Sequence, residues 1–257
     1  MEFTKTDFLS PDALVTMPKM NPHKSSRDLI EKPDPCAQTS GEIRKISKRR
    51  AVGWHCEGPD QCRGTIRRQL AGRLSGARWT ALHPSRSGGL SLALTLDMHK
   101  KARSGGDIPQ GIVVTARREA SLAEMRRALR AIGFAIPIEH RLAPTQVGSD
   151  AAVVALPATS KVVNATGLGK DRPGSPLTDA CHWPARGLTW EFSYRGELAF
   201  VDQARAAAAA RSLTVHDGWV CFIHGPARVI AKVFDVDIPM SGLAFDAHSR
   251  IAIHATS

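Results

Sequence analysis

The clearest alternation of apolar and polar positions in the chain lies between residues 111 and 139. Residues 112–115 are strand formers that follow a proline and a glycine, which predicts a strand with a breaker before it. Apolar residues then recur at the spacing of one helix face: Leu122, Met125, Leu129 and Ile132. An alternating set follows, as in a half-buried strand: Phe134, Ile136 and Ile138. The stretch therefore predicts a β-α-β unit.

Both ends of the predicted helix carry terminal signals. Ser121 is followed three residues later by Glu124, the spacing of a capping box that satisfies free amide groups at a helix start. Gly133 stands where a left-handed C-terminal cap is expected, because glycine has no Cβ to clash there. The helix is thus predicted to begin near Ser121 and to end before Gly133.

Other patterned segments predict the remaining elements. Alternating or apolar runs indicate strands at residues 90–98, 151–156, 188–195 and 219–224, and helix-forming residues indicate a helix at 200–211. The chain is therefore predicted to be α+β with two β-α-β units. We expect a ferredoxin-like sandwich, with helices on one face of a mostly antiparallel sheet, and an open α/β sheet is the alternative.

Changes in composition suggest how the chain is divided. Residues 1–50 are predicted to form a weakly ordered, flexible basic arm, and residues 51–257 an α+β globular region. Residues 157–187 are rich in Pro, Gly, Ser and Thr, which indicates a long loop and a second boundary there. That loop contains Gly167-Leu168-Gly169-Lys170, without the spacing of a P-loop, and the chain has no dinucleotide fingerprint.

The positive charge of the chain is concentrated in its middle. The formal net charge is +11, and residues 41–141 contain 20 Lys and Arg against 8 Asp and Glu, a local excess of +12. A concentrated positive field attracts polyanions. Nucleic acid is the expected partner, with an acidic protein as the alternative, although many such arginines simply form a solvated face.

The leading hypothesis is a nucleic-acid-binding protein that contacts the phosphate backbone of DNA or RNA. One Tyr and few other aromatic residues favour backbone contacts over stacking on bases. Arginines opposite the apolar stripe of the central helix supply the centre of the predicted surface. The full predicted set is Arg49, Arg50, Arg67, Arg68, Arg73, Lys100, Lys101, Arg126, Arg127 and Arg130.

Asp235 and Asp237 are the candidate metal ligands. Residues two apart on a strand share a face, so both carboxylates could hold one divalent cation. This predicts, as the second hypothesis, a nuclease-like metal-dependent phosphotransfer or hydrolytic enzyme. The third is an interaction or inhibitor module for an acidic protein. No organic cofactor is predicted, and whether the chain is an enzyme stays open.

A second set of candidate metal ligands is less regular. His55, Cys56 and Cys62 lie close in sequence, but five residues separate the cysteines and no second pair follows, which favours a structural turn. No apolar run approaches the roughly 20 residues of a membrane span. No secretory signal is recognisable, and five widely spaced cysteines favour reduced thiols. We therefore expect a cytoplasmic protein with no membrane partner.

Overall fold

The computed structural model describes residues 45–49, 51–55, 80–84, 89–170, 172–224, 227 and 236–239. Its strands are β1 (Lys45–Arg49), β2 (Ala51–His55), β3 (Thr80–Pro84), β4 (Ile112–Ala116), β5 (Ile138–Leu142), β6 (Lys161–Ala165), β7 (Leu188–Glu191) and β8 (Thr214–His216). Its helices are α1 (Gly89–Arg103), α2 (Glu119–Ala131), α3 (Gln146–Val154) and α4 (Ala199–Arg211), and residues 219–224 are also helical.

Strands β3 to β8 form one sheet in the order β5-β4-β3-β6-β7-β8, and every neighbouring pair is parallel. A separate antiparallel hairpin joins β1 to β2. The prediction of a mostly antiparallel, ferredoxin-like sandwich is therefore wrong, and the open α/β alternative describes the sheet. The proposed domain boundaries stay predictions.

Helices cover both faces of the sheet, because parallel strands are joined by crossover helices that pack on one face or the other. All five residues are buried in β4 and in β6, as expected of strands shielded on both sides. One face packs beneath α1 and α2 in a cluster that includes Met98, Leu122 and Trp190. The opposite face packs beneath α3 and α4 around Val153 and Phe200. The helices therefore lie on both faces, where the sequence predicted one.

Helix α2 confirms the prediction of a helix in the central stretch and of the residues that it buries. Leu122, Met125 and Leu129 are buried against the sheet. Gly133 follows the helix with a φ of +62°, in the left-handed region where a Cβ would be strained. The capping-box prediction is wrong: Arg118 occupies the N-cap position without a side-chain hydrogen bond, and Ser121 lies inside the helix.

Three predicted strands are helical. Residues 90–98 lie in α1, residues 151–154 in the end of α3, and residues 219–224 in a helix. Short apolar runs suit a buried strand and a buried helix equally well, so periodicity alone did not separate the two. None of the helices in the described ranges is long and apolar enough to cross a membrane.

The connection from β6 to β7 is irregular along its described residues between 166 and 187. Side chains of the neighbouring helices hold it in place. Asp150 of α3 accepts hydrogen bonds from the Thr178 amide and hydroxyl at 3.1 and 2.5 Å. Gln203 and Arg211 of α4 donate to the carbonyl oxygens of Leu177 and Trp183 at 3.2 and 2.8 Å. The loop is therefore ordered by its surroundings.

Candidate functional site

A crevice opens at the carboxyl edge of the sheet, where the strand order reverses. From β3 the chain proceeds outward to β4 and β5, and it then returns to β6 on the other side of β3. The connections that leave β3 and β6 therefore run in opposite directions and separate at this edge. In open α/β sheets, ligands bind at such a switch point.

The cleft at this edge has a volume of about 420 Å³. Three segments at the carboxyl ends of strands line it: residues 115–118 at the end of β4, residues 143–146 between β5 and the start of α3, and Thr166, Leu168 and residues 173–176 after β6. The first turn of α2 adds Ser121, and α3 adds Ser149. Residues far apart in sequence thus meet in one cavity.

Two arginines form the β4 side of this cleft. Arg117 and Arg118 directly follow the last residue of β4, and both are exposed. Among the described residues, no ion pair or hydrogen bond engages either guanidinium group. Residues 115–118 include no carboxylate. Planar guanidinium groups bind phosphate oxygens in pairs, so this side of the cleft suits an anionic ligand.

A buried polar network lies at the ends of β6 and β7. Glu191, the last residue of β7, is fully buried. Its carboxylate accepts hydrogen bonds from the Asn164 side-chain amide and, at 2.6 Å, from the Ser193 backbone amide. Burial raises the pKa of Glu191 to about 7, and the hydrogen bonds from Ser193, Asn164 and Phe192 oppose that shift.

The same network extends into the cleft. The Asn164 side-chain oxygen accepts hydrogen bonds from the backbone amide and the hydroxyl of Thr166, at 3.0 and 2.7 Å. The Thr166 hydroxyl in turn accepts a hydrogen bond from the Leu168 amide at 3.1 Å. Because Thr166 and Leu168 line the cleft, Glu191 and Asn164 fix the start of the loop that forms its wall.

This loop then reaches a group of aromatic and basic side chains. The Lys170 ammonium lies 5.8 Å from the centre of the Tyr194 ring. The Phe222 ring also stacks on Tyr194, with the ring centres 3.7 Å apart. The φ of Gly196 is +95°, and a Cβ there would overlap the Gly169 carbonyl oxygen, so glycine lets the loops after β6 and β7 approach. An ammonium and a phenol at this rim suit an oxygen-rich ligand.

None of the described residues that were predicted to contact phosphate lines this cleft. Lys101 lies 3.7 Å from the Asp97 carboxylate within α1, and Arg126 pairs with Glu119 within α2. Lys100, Arg127 and Arg130 are exposed on the same two helices. Arg49 belongs to β1 of the separate hairpin, and the remaining predicted contacts lie outside the described residues: Arg50, Arg67, Arg68 and Arg73.

The structure describes only part of each set of predicted metal ligands, so both sets stay predictions. Asp235 lies outside the described residues, and Asp237 is exposed in the short segment 236–239. His55 is the last residue of β2, whereas Cys56 and Cys62 are outside the described ranges. Among the residues that the structure describes, no group of three His, Cys, Asp or Glu side chains could hold a metal ion.

Comparison with known proteins gives a likeness of fold. No family model and no curated protein matches the chain. A solved structure of shikimate 5-dehydrogenase from Listeria monocytogenes, in complex with shikimate and NAD, has a TM-score of 0.62 at 11% identity, covering 88% of this chain and 73% of that one. Quinate dehydrogenase from Corynebacterium glutamicum, in complex with NAD, has a TM-score of 0.63 at 16% identity, covering 89% and 73%.

A third solved structure with a similar fold is a reductase. The ligand-free 5-ketofructose reductase of a Gluconobacter strain has a TM-score of 0.58 at 12% identity and covers 88% of this chain and 74% of that one. At these identities the comparison establishes the fold: a Rossmann-type α/β domain with a parallel sheet, as in shikimate dehydrogenases.

The hypothesis of a nucleic-acid-binding protein is wrong. The fold is that of dehydrogenases, and nucleic acid is not the ligand of the neighbours solved with bound molecules. The same neighbours give no support to the two alternatives, a nuclease-like enzyme and a module for an acidic protein. The expectation of no organic cofactor also conflicts with neighbours that were solved with NAD.

Sequence reasoning missed the residues that define the cleft. Arg117 and Arg118 entered the charge count, but they were not recognised as the first residues after a parallel strand. Asn164 offered a signal, because a polar residue inside a run of buried strand residues is unusual in a parallel sheet. These residues were overlooked because the sheet was assumed to be antiparallel, with only one face buried.

Proposed function

We propose that the chain is an oxidoreductase that binds NADP(H) in the carboxyl-edge cleft and transfers hydride to or from a small polyhydroxylated substrate. The observation that carries the proposal is the pair Arg117 and Arg118 at the end of β4, beside the switch point of a doubly wound sheet. In such folds a carboxylate near this position binds the ribose 2′-hydroxyl of NAD, and an arginine accommodates the 2′-phosphate of NADP.

Another feature of the fold fits the same coenzyme. Helix α1 starts at Gly89, shortly after the end of the central strand β3, and its first turn contains no acidic residue. A helix N-terminus at this place favours a pyrophosphate, because its free amide groups and its dipole attract negative charge. Residues 84–89, Pro-Ser-Arg-Ser-Gly-Gly, depart from the usual glycine-rich fingerprint. The fold and the cleft therefore support the coenzyme more strongly than any motif.

The substrate class follows from the rim beyond the cleft and from the neighbours. Lys170 and Tyr194 offer an ammonium and a phenol that can bind carboxylate or hydroxyl oxygens. The neighbours were solved with shikimate or are described as quinate or 5-ketofructose enzymes. The bound nicotinamide would supply the hydride, and the residues of this rim would orient the carbon that gains or loses it.

A titration tests the coenzyme proposal. We expect NADPH to bind the whole chain more tightly than NADH, as followed by nicotinamide fluorescence. Arg117→Ala and Arg118→Ala should each weaken NADPH binding by roughly ten-fold or more, since a charged hydrogen bond contributes about 1.5–3 kcal/mol. NADH binding should change little, because NADH lacks the 2′-phosphate.

Arg127→Ala is the matched control. It removes the same charge from an exposed position on α2 that does not line the cleft. Binding of NADPH should therefore be unchanged in this variant. Equal weakening by all three variants, or tighter binding of NADH than of NADPH by the wild type, would overturn the proposed coenzyme preference.

A further inference from the structure

We propose that β5 is a dimerisation edge, at which two copies of the chain pair their β5 strands antiparallel about a two-fold axis at His140. In the described sheet, β5 is a terminal strand that pairs with β4 alone. A terminal strand presents a row of backbone donors and acceptors that can template a further strand. The sequence Ile138-Glu139-His140-Arg141-Leu142 makes a second copy of this chain the matching occupant.

The hydrogen bonds at both ends of β5 show which backbone groups face outward. The Pro137 carbonyl accepts a bond from the Ile112 amide, and the Ala143 amide donates to the Ala116 carbonyl, both at 2.8 Å. Odd-numbered residues of this strand therefore direct their backbone groups toward β4. Because the direction alternates along a strand, Ile138, His140 and Leu142 direct theirs away from the sheet.

In antiparallel pairing about His140, all of these outward-facing backbone groups form hydrogen bonds. Ile138 of one copy lies opposite Leu142 of the other, and His140 lies opposite its own equivalent. All three resulting pairs join residues whose amides and carbonyls face outward, so they form hydrogen-bonded pairs with about six bonds between the strands. A shift by one residue would place outward groups against inward ones and lose those bonds.

The charges of β5 select the same register. With the axis at His140, Glu139 of each copy lies opposite Arg141 of the other, in the closely spaced non-hydrogen-bonded positions. A shift by two residues keeps the backbone bonds but places Glu139 opposite Glu139, or Arg141 opposite Arg141. Like charges directly opposite each other are destabilising, and opposite charges stabilise the pair. The arrangement about His140 alone avoids repulsion.

Exposed apolar side chains are found on β5 and on the helix that follows it. Among the described residues, the large exposed hydrophobic side chains are Leu142 at 53%, Val147 at 69%, Val154 at 56% and Val236 at 46%. Three of the four belong to β5 and to α3, the helix that follows it. In the proposed pair Leu142 packs against Ile138 of the second copy, which removes apolar surface from water.

Charge reversal tests this surface in the whole chain. The wild type, of 27.8 kDa, should sediment as a dimer at micromolar concentration. Glu139→Arg or Arg141→Glu should each raise the dimer dissociation constant at least about ten-fold, because two attractive pairs become repulsive. Both residues lie outside the cleft lining, and their exposed ion pair within one chain contributes little to folding, so each variant should stay folded.

Two complementing experiments make the result specific. Mixing the Glu139→Arg chain with the Arg141→Glu chain should restore a dimer, since every cross-strand pair then joins opposite charges. The double variant Glu139→Arg/Arg141→Glu should also dimerise like the wild type. A monomeric wild type, a dimer indifferent to both single reversals, or a mixture that fails to associate would each refute the proposed edge pairing.

Discussion

Glu191 connects the sheet to the wall of the cleft through two side chains. Its carboxylate orients Asn164, and Asn164 holds Thr166 by both the backbone amide and the hydroxyl. Buried polar networks of this kind are stabilising when every member is satisfied, and the loss of one member leaves the others unpaired. The geometry of the cleft therefore depends on a residue that does not line it.

We predict that Glu191 makes folding stability fall as pH rises from about 4.5 to about 7. The carboxyl pKa is raised by burial from 4.5 to about 7, so in this window the folded state holds a proton that the unfolded state has lost. Stability falls wherever the folded state binds more protons, here by roughly 3 kcal/mol in total. Denaturant unfolding of the wild type between pH 4 and pH 8 measures this fall.

Glu191→Gln serves as the comparison for that titration. Glutamine does not titrate, but it cannot accept both hydrogen bonds, so the slope against pH is compared and not the absolute stability. The fall between pH 4.5 and pH 7 should be smaller in the variant. Identical slopes in both proteins would show that the buried carboxyl group is not responsible.

At the scale of residues, sequence reasoning recognised charge but not position. Burial of Glu191 and Asn164 was not predictable without knowing that β6 and β7 lie inside a parallel sheet. The same holds for Arg117 and Arg118. Their position at the cleft follows only from knowing that β4 is a parallel strand that ends at the carboxyl edge of the sheet. The sequence shows the type of each of these residues, but their burial and their neighbours follow only from the fold.

Helix boundaries show how local signals can mislead. Ser121 and Glu124 match a capping box, yet α2 begins at Glu119 after Arg118. Helix α3, whose second half was predicted as a strand, has the side-chain cap: the Thr145 hydroxyl accepts a hydrogen bond from the Gly148 amide at 3.2 Å. A motif of four residues arises by chance, whereas the cap is defined by the backbone around it.

We predict different costs for alanine at these two positions. Thr145→Ala should lower the free energy of unfolding by about 1 kcal/mol, because it removes an N-cap hydrogen bond. Ser121→Ala should change it by less than about 0.5 kcal/mol, since this serine lies within the helix and caps nothing. Urea denaturation measures both. A larger cost at Ser121 than at Thr145 would contradict the observed helix boundaries.

At the scale of elements, strong periodicity was informative and short apolar runs were not. The α2 helix was predicted correctly from its apolar stripe, and the α4 helix from its run of helix-forming alanines. Residues 90–98 were predicted as a strand but form part of α1. This error in one element led to the wrong prediction of an antiparallel sheet. A helix between two strands permits a parallel crossover, whereas three consecutive strands favour an antiparallel sheet.

On the scale of the whole molecule, the sheet brings four loop regions to one rim. The cleft, the arginine pair, the Glu191 network and the Lys170–Tyr194 group all lie at carboxyl ends of strands or directly after them. That common location follows from parallel strands, which all end on the same side. The reaction proposed here requires coenzyme and substrate to meet along this rim.

We predict NADP(H)-dependent turnover with a polyhydroxylated carbonyl or alcohol. Shikimate, quinate and 5-ketofructose are suitable first probes, with absorbance of the reduced nicotinamide as the measurement. Lys170→Ala should raise KM for the active probe with little change in coenzyme affinity, because Lys170 is not among the residues that line the cleft. If the chain binds the coenzyme but turns over none of these probes, the proposed substrate class is wrong and the coenzyme proposal is retained.

The central place of β3 has a consequence for how the protein is made. One of its neighbours, β4, follows about thirty residues later, but the other, β6, follows only after β5 and α3 have been synthesised. A nascent chain leaving the ribosome can therefore assemble β3, β4 and β5 while the other flank of β3 still lacks a partner. Long-range strand pairing is slow, and an uncovered strand invites aggregation. Slower translation before β6 would prolong that exposure, whereas a chaperone that shields β3 would raise the yield.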